Sequence, residues 1–99
     1  MYSLKIMNPN SVPHQIKLTS GKMVIGRTVN CDIVINDTSA SRRHAEIFYD
    51  PAMEIVTIND LKSSNGTYVN RKRVPPGEKR ALAKDDIIQI GAVQMRVLE

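Results

Sequence analysis

Hydropathy along this chain repeats with a period of two. Leu4-Lys5-Ile6, Ile16-Lys17-Leu18, Glu46-Ile47-Phe48-Tyr49 and Glu54-Ile55-Val56-Thr57-Ile58 alternate or nearly alternate apolar with polar, and Ile88-Gln89-Ile90 and Val93-Gln94-Met95-Arg96-Val97 repeat the pattern near the end. Ile33-Val34-Ile35 adds a β-branched run. Successive side chains of an extended strand point to opposite faces, so runs of this kind build strands with one face in a core. Turn-forming clusters separate them: Asn8-Pro9-Asn10-Ser11, Ser20-Gly21, Asp50-Pro51, Pro75-Pro76-Gly77 and Gly91-Ala92. Short strands divided by turn signals about every eight to twelve residues predict an all-β sandwich. The one helix-like stretch, Glu78 to Lys84, is about two turns long and lacks a clear cap, so no substantial helix is expected.

The 99 residues suit one domain, residues 1–99, with no repeat, linker or low-complexity segment. The sequence closes on the strand-like Val97-Leu98, which is expected of a domain cut from a longer protein, with a stand-alone domain as the alternative. Cys31 is the single cysteine, so no intrachain disulfide can form. No apolar run approaches the roughly 20 residues that span a bilayer, and the start Tyr2-Ser3-Leu4-Lys5-Ile6 is too polar for a signal peptide, so none is expected. A cytoplasmic domain, monomeric when isolated, is expected, with no membrane partner. The formal charge of +4 permits acidic partners without requiring them.

Four polar pieces interrupt the strands: Gly26-Arg27, Ser41-Arg42-Arg43-His44, Asp60-Leu61-Lys62-Ser63-Ser64-Asn65-Gly66-Thr67, and Asn70. Each lies at a turn. The loops of a sandwich gather at its two ends, held by the rigid strands behind them. If three of these loops share an end, Arg27, Ser41, Arg42, Ser64 and the Gly66 backbone face one point. A guanidinium, hydroxyls, an amide and a loosened backbone are what a phosphate dianion needs.

This spacing resembles the forkhead-associated (FHA) domain, a phosphothreonine-recognition module, and the bacterial type in particular. The family carries Gly-Arg, then Ser-x-x-His, then Asn-Gly, then a further Asn. Here they stand as Gly26-Arg27, Ser41 to His44, Asn65-Gly66 and Asn70, and Leu82 to Gly91 fits the family's closing segment. The resemblance implies an eleven-stranded, antiparallel-rich β-sandwich (FHA/SMAD-like) with its ligand on the apical loops. It implies phosphate contacts from Arg27, Ser41, Arg42 and Ser64, and a contact from Asn65 to the main chain of the bound peptide. Gly26, His44, Gly66, Thr67 and Asn70 would be loop framework, and Cys31 reads as a small buried or half-buried side chain rather than a reactive thiol. The implied function is a signalling adaptor without catalysis, cofactor or metal, whose partner is a protein carrying a phosphothreonine made by a Ser/Thr kinase. Three positions depart from the family pattern. Ala40 replaces a larger aliphatic and would loosen the packing under Ser41. Arg71 stands where Gly often completes an Asn-Gly hairpin, so the turn would change type. Asp85 replaces a Gly, at little expected cost.

Other classes compete. Arg42-Arg43 and Arg71-Lys72-Arg73 could hold nucleic acid, yet three Tyr and one Phe make a poor stacking platform. Ser41, His44 and Asp60 could be read as a hydrolytic triad, but no nucleophile elbow accompanies them. His14, His44 and Cys31 lack metal-ligand spacing. A phosphorylation-independent interaction through a sheet face is the main alternative.

Overall fold

The structure, a computed structural model, describes residues 2–9 and 12–99. Asn10 and Ser11 of the first turn signal lie outside the described residues. Eleven strands follow one another: β1 Ser3–Met7, β2 His14–Lys17, β3 Gly21–Gly26, β4 Ile33–Val34, β5 Ala45–Asp50, β6 Ile55–Asp60, β7 Tyr68–Val69, β8 Lys72–Arg73, β9 Lys79–Leu82, β10 Ile87–Ile90 and β11 Val93–Leu98. They form a six-stranded sheet in the order β2-β1-β11-β10-β7-β8 and a five-stranded sheet in the order β4-β3-β5-β6-β9. Pairing is antiparallel except between β3 and β4, where Ile25 lies opposite Ile33 and Gly26 opposite Val34.

The alternation in sequence becomes the division between core and solvent. On β11, Val93, Met95 and Val97 are buried while Gln94 and Arg96 are exposed. On β5, Ala45, Ile47 and Tyr49 turn inward and Phe48 outward. Leu4, Ile6, Ile25, Ile33, Ile47, Ile58, Ile88, Ile90 and Met95 fill the space between the sheets, each at most 1% exposed. Burying one such side chain contributes about 1.5–3 kcal/mol, which fixes register, because a slip of one residue would turn the set outward.

Two stretches differ from the expected boundaries. The helix-like run Glu78 to Lys84 contains strand β9, and of that strand only Leu82 is buried. One inward residue cannot cover a helical stripe, and pairing with β6 satisfies the backbone instead. Strand β6 runs past Ile58 to Asp60, because Asn59 pairs with both Glu46 and Lys79 and Asp60 with Ala45. This extension carries a carboxylate to the base of the loops.

The departures from the family pattern are absorbed. Asn70 and Arg71 sit at φ 51° and 71°, the pair of positive values that a type I′ hairpin demands. The turn therefore keeps its class without glycine. Asn70 is tied from both sides: its Nδ2 donates to Asp86 (2.9 Å) and its Oδ1 accepts from the Ile87 N–H (3.0 Å). Asp85 takes the left-handed conformation at φ 73°. Ala40 is buried, and its N–H donates to the Asp37 carbonyl at 3.0 Å, so the loop closes without a larger side chain.

Candidate functional site

The end of β3 and the β4–β5 loop are joined through backbone. The Arg27 N–H donates to the carbonyls of Ser41 (3.1 Å) and Arg42 (3.2 Å), and the His44 N–H donates to Ile25 (2.8 Å). The Arg42 carbonyl also accepts from the Thr28 hydroxyl (3.3 Å) and the Cys31 thiol (3.1 Å). A Cβ on Gly26 would collide with that carbonyl and lie 2.8 Å from the Cys31 sulfur. Glycine is required here by close approach, and Cys31 serves as a small buried donor.

His44 is fully buried and joins the second loop to the third. Its Nδ1 accepts from the Ser41 N–H at 3.0 Å, and its Nε2 lies 2.9 Å from the Gly66 carbonyl. An amide N–H can only donate, so Nδ1 carries no proton; the hydrogen sits on Nε2 and is given to Gly66. Asp60 Oδ1 lies 3.9 Å from Nε2, too far for a hydrogen bond. Both ring nitrogens are committed to backbone, while the Ser41 hydroxyl faces Ser64. The residues of the triad reading are near one another in space but are not wired for proton transfer.

Asp60 holds the third loop from below. Its carboxylate accepts from the Ser63 hydroxyl, the Ser63 N–H (2.9 Å) and the Thr67 hydroxyl (2.7 Å). The Ser63 oxygen in turn accepts from the Gly66 N–H at 3.0 Å. Burial alone would raise the Asp60 carboxyl; the hydrogen bonds from Ser63 and Thr67 outweigh it and hold the group below its ordinary 3.8. Gly66 adopts φ +88°, where a side chain would be strained and would also press on Arg73. Sequence reasoning assigned no role to Ser63 and saw Asp60 only as a loop start or triad member. The available signal was the Asp-x-x-Ser spacing, in which a carboxylate accepts from the backbone three residues on.

Above this buried layer stand the exposed residues. Arg27, Arg42, Ser64 and Asn65 are exposed and Ser41 half-buried. Arg27 Nε donates to the Ala40 carbonyl (3.1 Å), which directs its stem toward the Ser41 loop. The Ser64 N–H reaches the Ser41 hydroxyl at 3.4 Å, a long contact. Asn65 Nδ2 donates to the Ser39 carbonyl at 2.8 Å and bridges the two loops. Arg27, Ser41 and Ser64 thus stand on three loops that these hydrogen bonds join. Asn70 is placed apart from them: its hydrogen bonds run to Asp86 and Ile87 and brace the β7–β8 turn on β10.

A β-sandwich with this loop end defines a class. The FHA domain family model matches residues 23–91, and the chain belongs to that family. FhaA of Mycobacterium tuberculosis is 37% identical over 75 residues, 76% of this chain and 13% of that protein. An oxoglutarate dehydrogenase inhibitor of Corynebacterium diphtheriae is 40% identical over 75 residues, 75% of this chain. The chain spans only 48% of that relative's length. Among solved structures, the FhaA FHA domain complexed with the intracellular domain of Rv3910 superposes with a TM-score of 0.84 at 31% identity, covering 98% of this chain and 99% of that one. An FHA domain solved in work on phosphothreonine-dependent FHA domain interactions gives 0.84 at 32% identity, over 99% and 95%.

Proposed function

We propose that this domain is a non-catalytic adaptor that binds a phosphothreonine segment, in a partner protein or in its own parent chain. The observation that supports the reading is that the loops carrying Arg27, Ser41 and Ser64 are tied to one another, by Arg27 to the Ser41 and Ala40 carbonyls and by the Ser64 N–H to the Ser41 hydroxyl. The Arg27 guanidinium offers a planar fork to two phosphate oxygens. The Ser41 hydroxyl, the Arg42 backbone or side chain, and Ser64 supply further donors. The Ser64 N–H, held loosely by Ser41, is free to turn to a stronger acceptor. Asn65 keeps its amide oxygen available for a main-chain N–H of the peptide. Each hydrogen bond to a charged group contributes about 1.5–3 kcal/mol, so three or four supply most of the roughly 8 kcal/mol of a micromolar complex. Phosphate therefore gates binding.

His44, Gly26, Gly66 and Thr67 act as framework, and His44 has no free nitrogen with which to serve as a base. Among the described residues no helix is long and apolar enough to cross a membrane. A cytoplasmic setting, where a Ser/Thr kinase would make the ligand, fits the single buried cysteine. The test is a binding assay with oriented libraries of phosphothreonine, phosphoserine, phosphotyrosine and unmodified peptides. Phosphothreonine peptides should bind and unmodified ones should not. The methyl group contributes roughly 0.8 kcal/mol by burial, so phosphoserine should bind several-fold more weakly. A second reading rests on Phe48 (46% exposed) and Ile55 (41% exposed), which point outward from the five-stranded sheet. They would serve a partner that ignores phosphorylation, and unmodified peptides or proteins would then compete equally.

A further inference from the structure

Half of the lysines and arginines fall in one segment. Residues 62–84 carry seven of the fourteen Lys and Arg residues and one of the ten Asp and Glu residues, a net +6; the remaining positions carry seven against nine, a net −2. The positive charge of the domain therefore belongs to this segment alone. Strands β8 and β9 lie within it, β8 last in the six-stranded sheet and β9 last in the five-stranded sheet. The short run 74–78 joins them, so the two sheet edges flank one side of the sandwich. No cation of the segment makes an ion pair among the described residues. The pairs there join Lys22 and Arg43 to Glu46, His44 to Asp60 and Arg96 to Asp85.

Register shows where these cations point. Residues directly opposite each other on paired strands share a face. Lys72 lies opposite the buried Val69, and Arg80 opposite the buried Ile58. Both therefore stand on the core-facing side of a terminal strand, at the rim of the seam between the sheets. Lys79 lies opposite Asn59 on the outer side and is exposed. Strand β9 pairs only with β6, so the main-chain groups along its other side have no strand partner. A row of open N–H and C=O groups invites another strand. Cations on both faces of β9 decide which strand is admitted.

We propose that β9 accepts an extended acidic segment of a partner protein as an added strand of the five-stranded sheet. The main chain of the segment completes the ladder. Its carboxylates meet Lys79 on the outer face or Arg80 and Lys72 at the seam. Opposite charges on neighbouring strands attract and like charges repel. A second copy of this chain meeting β9 edge to edge would set cation against cation and is refused. A polynucleotide offers the charge but no ladder to complete. None of the candidate phosphate ligands takes part, and the partner needs no phosphate.

The test is fluorescence anisotropy of a labelled, unphosphorylated peptide that alternates glutamate with valine. It is set against a peptide alternating lysine with valine, a single-stranded oligonucleotide of equal charge, and the glutamate peptide N-methylated at every residue, which loses its donors but keeps its charge. The wild type should bind the glutamate peptide, more weakly as salt is raised, and should bind neither the lysine peptide nor the methylated one. The double variant Lys79→Glu, Arg80→Glu should bind the glutamate peptide about tenfold more weakly and gain the lysine peptide. Lys79→Glu alone, at an exposed position that folding does not depend on, should show about a threefold loss. Arg27→Ala should bind the glutamate peptide as the wild type does. Equal binding by the wild type and both charge variants overturns the proposal, as does undiminished binding of the methylated peptide. An oligonucleotide that binds more tightly than the glutamate peptide overturns it too.

Discussion

The space between the sheets and the space beneath the loops are both closed to water, yet opposite chemistry fills them. Between the sheets, Ile25, Ile47, Ile58, Ile88 and Met95 contribute only volume. Beneath the loops, His44, Asp60, Ser63 and Thr67 are equally buried and contribute directed hydrogen bonds. The first region tolerates any apolar replacement of similar size. The second tolerates few, because deleting one partner strands the others in a dry interior. The loop end therefore trades tolerance for position. Arg27, Ser41 and Ser64 stand on loops anchored to a layer that cannot repack.

That contrast can be broken by substitution. Asp60→Ala should cost the most, about 3 kcal/mol of stability in denaturant unfolding, since it leaves the Ser63 and Thr67 hydroxyls unpaired. Ile47→Val, at a site just as buried, should cost only about 1 kcal/mol. Equal losses would erase the distinction between the regions. Arg27→Ala should leave melting within a few degrees of wild type yet weaken phosphopeptide binding about a hundredfold, or roughly 2.7 kcal/mol; calorimetric titration showing retained affinity would remove Arg27 from the site. Ser41→Ala and Asn65→Ala should each weaken binding about tenfold, or 1.4 kcal/mol, and losses within twofold would contradict their roles.

Acid supplies the mildest probe. The folded Asp60 carboxyl is held below its ordinary 3.8, so its contribution is complete above that value and is lost as pH falls through the lower, folded one. The stability gap between wild type and Asp60→Asn should hence narrow on acidification below about pH 3.8. A gap that is constant or widens would mean that Asp60 is not held ionised by its partners.

Much of this was legible in the chain. Alternation marked β1, β5, β6, β10 and β11, because burial of one face writes directly into local sequence. The meeting of three loops is a long-range fact with no local period, and only the family pattern anticipated it. The polar layer was less visible. Asp60 and Ser63 look like ordinary turn residues until β6 is seen to run on and carry the carboxylate inside. The turn at Arg71 is hidden for a similar reason: the missing glycine predicts a different turn, but the bonds from Asn70 to Asp86 and Ile87 hold the left-handed pair in place. Glu78 to Lys84 looked helical because its residues carry no strong strand preference, and pairing with β6 decided its state.

An amide NMR titration with a phosphothreonine peptide and its unphosphorylated twin tests the central claim most directly. The phosphopeptide should shift the Arg27 side-chain N–H, the Ser41, Arg42 and Ser64 amides and the Asn65 carboxamide, while the twin leaves them still. Shifts centred on Phe48 and Ile55, or the same shifts from both peptides, would contradict it.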